Sequence, residues 1–173
     1  MDKWLGLFKK GKNAANKNLL LDEFKILDLG IKYLDKEDYE PAIREFNKIL
    51  EFNPENEVAI VKLGHAYLRQ KKYPEAIQQF NRALELDPEG VDPHEGLGFC
   101  YFEQGCIVEA IEKFNHVLKF SPDDEHAHFG LGLCYNEKQE RSKAIEEFNR
   151  VLKINPKHKQ ANYMLEVYFA KHK

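Results

Sequence analysis

One phrase occurs four times in this chain of 173 residues, and each copy begins 34 residues after the copy before it. It reads AIREFNKILEFNP at residues 42–54, and the later copies keep the same alanine, isoleucine, phenylalanine, asparagine and proline. A fixed period of this length predicts an array of small units, because one such unit cannot bury its apolar face alone and stacks on its neighbours. With the prolines as markers, the units span residues 23–56, 57–90, 91–124 and 125–158.

Two helical patterns fill each unit. In the second unit, Leu63, Gly64 and Tyr67 share one helix face, and Ala76 and Phe80 share the face of another helix. A short polar stretch separates the two patterns, so each unit is predicted to be an antiparallel hairpin of two helices of about 14 residues. The glycine and the alanine leave room for a close approach of the helices, and the proline ends the second helix. The sequence therefore predicts an all-α protein.

This pattern resembles the tetratricopeptide repeat (TPR), whose signature is W-x2-L-G-x2-Y, then A-x3-F, then P, at a period of 34 residues. The resemblance covers residues 23–158. It implies a right-handed α-α superhelix, a TPR solenoid of antiparallel helical hairpins. The chain departs from the signature at position 4 of each unit, where a large aromatic or apolar residue is usual and where it has Ile26, Ile60, His94 and His128.

Residues 159–171 begin a fifth unit and stop after its first helix. Glu166 stands where the repeat glycine is expected, and a charge there can face water when no second helix follows. We expect this segment to be a capping helix that covers the apolar flank of the last hairpin. The TPR domain is predicted to span residues 21–173, preceded by a separate N-terminal segment of residues 1–20.

Position 25 is asparagine in every unit. It lies on the same helical stripe as the apolar positions 21 and 28, and two interpretations are open. The asparagines either form hydrogen bonds across the seam between repeats or face the solvent. The four residues are Asn47, Asn81, Asn115 and Asn149.

The TPR resemblance implies that the first helix of each hairpin lines the concave face and that this face binds a peptide or a partner helix. Positions 2, 5, 9, 12 and 13 then face the partner. Position 9 is polar in typical repeats but mostly apolar here, and a large exposed apolar surface usually marks a binding site. The alternative is that positions 5 and 12 only serve packing. The predicted peptide-binding groove consists of Leu27, Ile31, Leu34, Val61, His65, Leu68, Arg69, Glu95, Phe99, Phe102, Phe129, Leu133, Asn136 and Val167.

The edges of this groove are acidic in its C-terminal half, so the expected partner segment has apolar anchors and some positive charge. The acids are Asp92, Glu95, Glu103 and Glu137, and the local exceptions are Lys62 and Arg69. TPR domains that clamp the C-terminal carboxylate of heat-shock chaperones carry lysine, asparagine and arginine at five groove positions. This chain has none of those residues there, so that co-chaperone function is not expected; the five positions hold Leu27, Ile31, Lys62, Asp92 and Gly96.

Catalysis, metal binding and nucleic-acid binding are not predicted. No nucleophile, base and orienting group can be assembled from these spacings, so we expect no catalytic residue and no cofactor. His126 and His128 are two residues apart and therefore lie on different helix faces, which argues against a metal site. The net charge of −3 offers nucleic acid no general attraction. Cys100 and Cys134 both hold position 10 and are predicted to be unreactive core thiols, whereas Cys106 lies in a turn.

The first 20 residues carry five lysines against one acid. On a helix, an apolar arc lies opposite a basic one, and three interpretations are open: an anchor on anionic membranes formed by residues 1–12, a docking arm for a partner or a second copy, or a frayed leader. The alternative function is therefore a peripheral membrane assembly factor that self-associates or docks on the membrane through this segment. The residues concerned are Trp4, Leu5, Leu7, Phe8, Lys9 and Lys10.

No apolar run reaches the roughly 20 residues of a membrane-spanning helix. The chain begins without the apolar core and cleavage site of a secretory signal, and its three cysteines form no disulfide framework. We therefore expect a cytoplasmic protein, with a peripheral position at the membrane as the alternative.

Overall fold

The computed structural model describes residues 14–170, and all the regular structure in that range is α-helical. The prediction of an all-α protein built from helical hairpins is confirmed. The first helix begins at Ala14, before the predicted start of the first unit at residue 23. In chain order the helices are α1 (Ala14–Asp35), α2 (Tyr39–Phe52), α3 (Glu57–Arg69), α4 (Tyr73–Leu86), α5 (Val91–Glu103), α6 (Ile107–Phe120), α7 (Glu125–Glu137), α8 (Arg141–Ile154) and α9 (Lys159–Ala170).

Helices α1 to α8 pair as four consecutive hairpins, and each hairpin also packs on the next. The first helices of neighbouring hairpins contact one another directly, as α3 does with α5 and α5 with α7. Among the described helices, no contacts of similar extent join the second helices of neighbouring hairpins. The first helices therefore form the inner layer of the array and the second helices form the outer layer.

A buried phenylalanine at position 24 of each hairpin forms the centre of its core. Phe80, for example, is completely buried, and a Cβ added to Gly64 of the same hairpin would lie 2.7 Å from its Cε1 atom. Gly96 of the next hairpin approaches the other carbons of the same ring. The repeat glycines are therefore required by the ring that they contact, and this ring joins its own hairpin to the following one. The equivalent residues are Phe46, Phe80, Phe114 and Phe148.

Helix starts and the turns inside the hairpins follow local rules. Asn56 and Asp124 cap α3 and α7, since each side-chain oxygen accepts a hydrogen bond of 2.8 Å from the backbone N–H three residues later. Each turn between the two helices of a hairpin has its residue at position 15 in the left-handed region. The third hairpin uses Gly105 there, with φ at 77°, whereas the others use Glu37, Lys71 and Gln139, with φ at 59–60°.

The asparagines at position 25 are exposed, and none of their side chains hydrogen-bonds to another described residue. The hypothesis that they join neighbouring repeats is wrong, and their interpretation as solvent-facing residues stands. The polar bonds between repeats come from other positions: Gln70 donates to Glu40 at 2.8 Å, and the Tyr73 hydroxyl donates to Glu103 at 3.0 Å. Position 25 lies on the outer face of the second helix, away from the next hairpin.

Helix α9 packs on α8 and ends the array. Ala161 and Leu165 are buried in this contact, and Glu166 is exposed. Arg141 ties the two elements together, because its guanidinium donates to the Tyr168 carbonyl oxygen and lies over the Tyr168 ring, 5.2 Å from the ring centroid.

Candidate functional site

The side chains at position 9 form a half-buried row along the inner layer of helices. Each packs one edge against the core, as Phe99 does against Phe114 with 5.0 Å between ring centroids and His65 does against Phe80 with 5.1 Å. Because they are only half-buried, the remainder of each side chain is available on the inner face. The row consists of Ile31, His65, Phe99, Leu133 and Val167.

Position 5 differs from this expectation in the first two hairpins. Leu27 and Val61 are each only 6% exposed, so they support the inner face from below and offer a partner almost no surface. The cause is the next hairpin, which covers position 5 with its position 2. In the third hairpin this contact is polar, since Glu95 Oε1 lies 3.1 Å from Nδ1 of His126.

Position 12 is half-buried in all four hairpins. Leu34, Leu68 and Phe102 pack against the core of their own hairpins, so they border the inner face. Asn136 accepts a hydrogen bond of 2.6 Å from the Tyr168 hydroxyl and thus belongs to the contact with α9. Arg69, at position 13, is exposed.

Two aromatic residues of the inner face escaped sequence reasoning. Phe24 holds position 2 of the first hairpin and is 58% exposed; Tyr163 holds position 5 of α9 and is 64% exposed. Each stands at an end of the array, where the neighbouring hairpin that would cover it does not exist. The described inner face therefore runs from one exposed aromatic ring to another, with the position 9 row between them.

Two family models match the sequence, a TPR repeat model over residues 64–105 and a tetratricopeptide repeat model over residues 101–166. The match and the stacked hairpins agree on one family. The chain is a tetratricopeptide repeat protein. A search of curated proteins finds no match.

Solved structures agree with this assignment. Two crystal structures of MamA resemble the TPR array at 27% and 28% sequence identity, with TM-scores of 0.67 and 0.66. The first match covers 80% of this chain and 76% of MamA, and the second covers 77% and 78%. A thermophilic TPR protein of Thermus thermophilus superposes with a TM-score of 0.76 over 87% of this chain and 83% of its own, at 19% identity, which shows the fold alone.

Charged groups of the TPR array surround His65 on the inner face. Burial, followed by the positive charges of Lys62 and Arg69, lowers the pKa of His65 to about 4, while Asp92 acts in the opposite direction. The hydrogen bond with Glu95 raises the pKa of His126. His65 is therefore a neutral ring at pH 7 and extends the apolar row.

A cleft of about 220 Å³ opens beside this charged group, where the second and third TPR hairpins meet. It is formed by the N-terminal turns of α3 and α5 and carries both apolar and charged side chains. Among its lining residues are Val58, Val61, Lys62, Val91, Asp92 and Pro93.

The described part of the TPR chain holds no group of three or more histidine, cysteine or acidic residues that could bind a metal ion. Burial raises the pKa values of Cys100 and Cys134 to about 12, so both thiols are protonated and shielded at neutral pH. No helix among residues 14–170 has both the length and the apolar character needed to span a bilayer. The predicted basic segment, with Trp4, Leu5, Leu7, Phe8, Lys9 and Lys10, lies outside the described residues.

Proposed function

We propose that this TPR protein is a non-enzymatic scaffold that binds an apolar-anchored peptide or helix of a partner protein on its inner face. The observation that carries the proposal is the half-buried apolar row at position 9, which continues into exposed aromatic rings at both ends. A partial exposure of this kind leaves apolar surface in water that an apolar side chain of a partner can cover. No groups arranged for catalysis compete with this interpretation among residues 14–170.

The acidic edge gives the partner its second property. Asp92 and Glu137 are exposed, and Glu103 is exposed beside Phe102. Such charges increase the association rate and select partners of opposite sign more than they add affinity. The partner segment therefore combines apolar anchors with lysine or arginine residues.

A substitution on the exposed end of the face tests the proposal without disturbing the core. Tyr163→Glu introduces a charge where the side chain is already mostly in water, so the fold is retained. Partners captured by the wild type and lost by this variant are ligands of the inner face. Val108→Glu is the matched control, because Val108 is 71% exposed on α6, an outer helix. Equal capture by all three proteins contradicts the proposal.

The alternative function rests on the basic, apolar composition of residues 1–12. Basic amphipathic segments bind anionic membranes through apolar burial and charge attraction. Co-sedimentation with anionic liposomes that is lost in Trp4→Glu favours this alternative. Light scattering of the full chain and of a variant without residues 1–17 tests self-association, and identical monomers in both samples contradict it.

A further inference from the structure

Two histidine rings are stacked inside the third hairpin. His94 lies on α5 at position 4, His116 lies on α6 at position 26, and their ring centroids are 3.7 Å apart with an angle of 38° between the ring planes. The other hairpins do not repeat this pair. Their residues at positions 4 and 26 are Ile26 and Lys48, Ile60 and Arg82, and His128 and Arg150.

The hydrogen bonding of His94 defines which of its nitrogens carries the proton. Its Nε2 atom is 3.1 Å from the carbonyl oxygen of Pro88, and a carbonyl oxygen only accepts, so Nε2 is the N–H donor. In the neutral ring Nδ1 then presents a bare lone pair. This nitrogen is buried without any hydrogen-bond partner among the described residues, in a side chain that is almost wholly removed from solvent, since His94 is 7% exposed.

His116 supplies a second unmatched nitrogen in the same place. Its Nε2 atom is buried and also lacks a partner among the described residues. Because the two rings are in contact, both unmatched nitrogens lie in one small space between α5 and α6. Buried polar atoms in folded proteins almost always have a partner, and exceptions point to a water molecule, an ion or a functional role.

The fourth hairpin shows how the same position is completed when it is purely structural. His128 keeps the bond to the preceding proline, with 2.9 Å between Nε2 and the Pro122 carbonyl oxygen. Its Nδ1 atom lies 2.7 Å from a carboxylate oxygen of Glu147 at position 23. In the third hairpin, position 23 is Lys113, which cannot accept a hydrogen bond. The unmatched nitrogens are therefore a specific property of the third hairpin and not of the repeat.

We propose that Nδ1 of His94 and Nε2 of His116 bind one divalent transition-metal ion of the kind that prefers imidazole, such as Zn²⁺, Ni²⁺ or Cu²⁺. Imidazole nitrogens suit these metals, and a metal-binding histidine usually donates its other N–H to a carboxylate or a backbone carbonyl, as His94 does to Pro88. The site offers two protein ligands, so water completes the coordination.

Two charged side chains flank this site. Glu112 lies one turn before His116 on α6, and its charge raises the pKa of His94, which shows that a carboxylate is close enough to favour a cation. Lys113 acts in the opposite direction and forms an ion pair of 3.5 Å with Glu112. A bound ion would join α5 to α6 and hold the inner and outer helices of the third hairpin together.

Titration of the tag-free full chain with ZnCl2 and NiCl2, followed by calorimetry, tests this proposal. We expect one ion per chain in the wild type and an affinity at least about tenfold lower in His116→Phe, which keeps an aromatic ring beside Phe120 but removes the ligand. His126→Gln is the control for an adventitious surface site, because His126 is exposed beside Glu95. It should bind as the wild type does.

A second measurement does not depend on the stability of the variants. In nitrogen-15 spectra of the wild-type histidine side chains, Ni²⁺ should broaden the signals of His94 and His116 before those of His65, His126, His128 and His158. Three results would overturn the proposal: no binding by the wild type, equal binding by wild type and His116→Phe, or a loss of binding in His126→Gln alone. In the first case a bridging water is the partner of the two nitrogens, and in the last the ion is adventitious.

Discussion

Substitution of one glycine by alanine should test whether the array is held together by the fit between glycine and phenylalanine. A Cβ added to Gly98 would lie 2.6 Å from Cε1 of Phe114, where ordinary contacts begin at 3.4 Å. The ring cannot move away freely, because Phe114 is completely buried and Gly130 of the next hairpin contacts its tip. Overpacking of this kind costs about 1–3 kcal/mol, and alanine regains about 1 kcal/mol of helix propensity.

With the overpacking cost at its upper end, Gly98→Ala should lower the free energy of unfolding by about 2 kcal/mol. For a domain of this size the midpoint of thermal unfolding falls by about 4–8 °C. Urea and thermal unfolding followed by circular dichroism measure both quantities. The double variant Gly98→Ala/Phe114→Leu should lose less stability than the sum of the two single variants, because the smaller side chain leaves room for the new methyl group.

Gly105→Ala is the control for the loss of a glycine as such. A Cβ added to Gly105 would meet nothing within 4 Å, so the substitution strains only the backbone at φ 77°. It should cost about 1 kcal/mol and show no coupling to Phe114→Leu. If Gly98→Ala is as stable as the wild type, or if its cost adds to that of Phe114→Leu without coupling, the packing argument is refuted.

Three further predictions concern single positions. Lys71→Gly should raise stability by up to about 1 kcal/mol in urea unfolding, because Lys71 has φ at 59°, a conformation that glycine adopts without strain; an unchanged midpoint would contradict this. Cys106 should react with a thiol reagent at pH 8 far faster than Cys100 or Cys134, whose pKa values are about 12, and mass spectrometry of the labelled sites decides it. His65 has a folded pKa of about 4, below its ordinary 6.5, so the unfolded chain binds more protons between those values and stability falls as the pH is lowered from 6.5 towards 4; His65→Gln should lose less stability than the wild type over that pH range.

The fold could be predicted from the sequence because every local signal in it agrees with the period. The glycine at position 8 and the phenylalanine at position 24 contact each other in every hairpin, as in Gly132 and Phe148. Recurring residues of this kind report a recurring environment. The left-handed residue at position 15 could not be predicted in three of four hairpins, because Glu37, Lys71 and Gln139 carry no glycine signal. There the geometry of the turn overrides the preference of the residue.

The site was less accessible to sequence reasoning because exposure at a given position depends on the neighbouring hairpin. Leu27 is buried by the hairpin that follows it, whereas Tyr163 has the same position in α9 and remains exposed because none follows. Phe24 is exposed for the converse reason at the other end. A pattern read within one repeat contains no information about which neighbours are missing, so the ends of the array are where such a pattern fails.

The histidines at position 4 extend this reasoning from exposure to chemistry. His94 and His128 are the same residue at the same position, and both donate Nε2–H to a carbonyl oxygen of the preceding loop. Their difference arises at position 23 of the facing helix, where Glu147 accepts from His128 and Lys113 leaves His94 without a partner among the described residues. The period thus retains the backbone and the first hydrogen bond, while the second contact is free to differ in each hairpin. If a carboxylate at position 23 is what distinguishes the two rings, Lys113→Glu should provide a partner for Nδ1 of His94, and this can be measured as a rise in the pKa of His94 followed by NMR. No change in that pKa would show that the two hairpins differ for another reason.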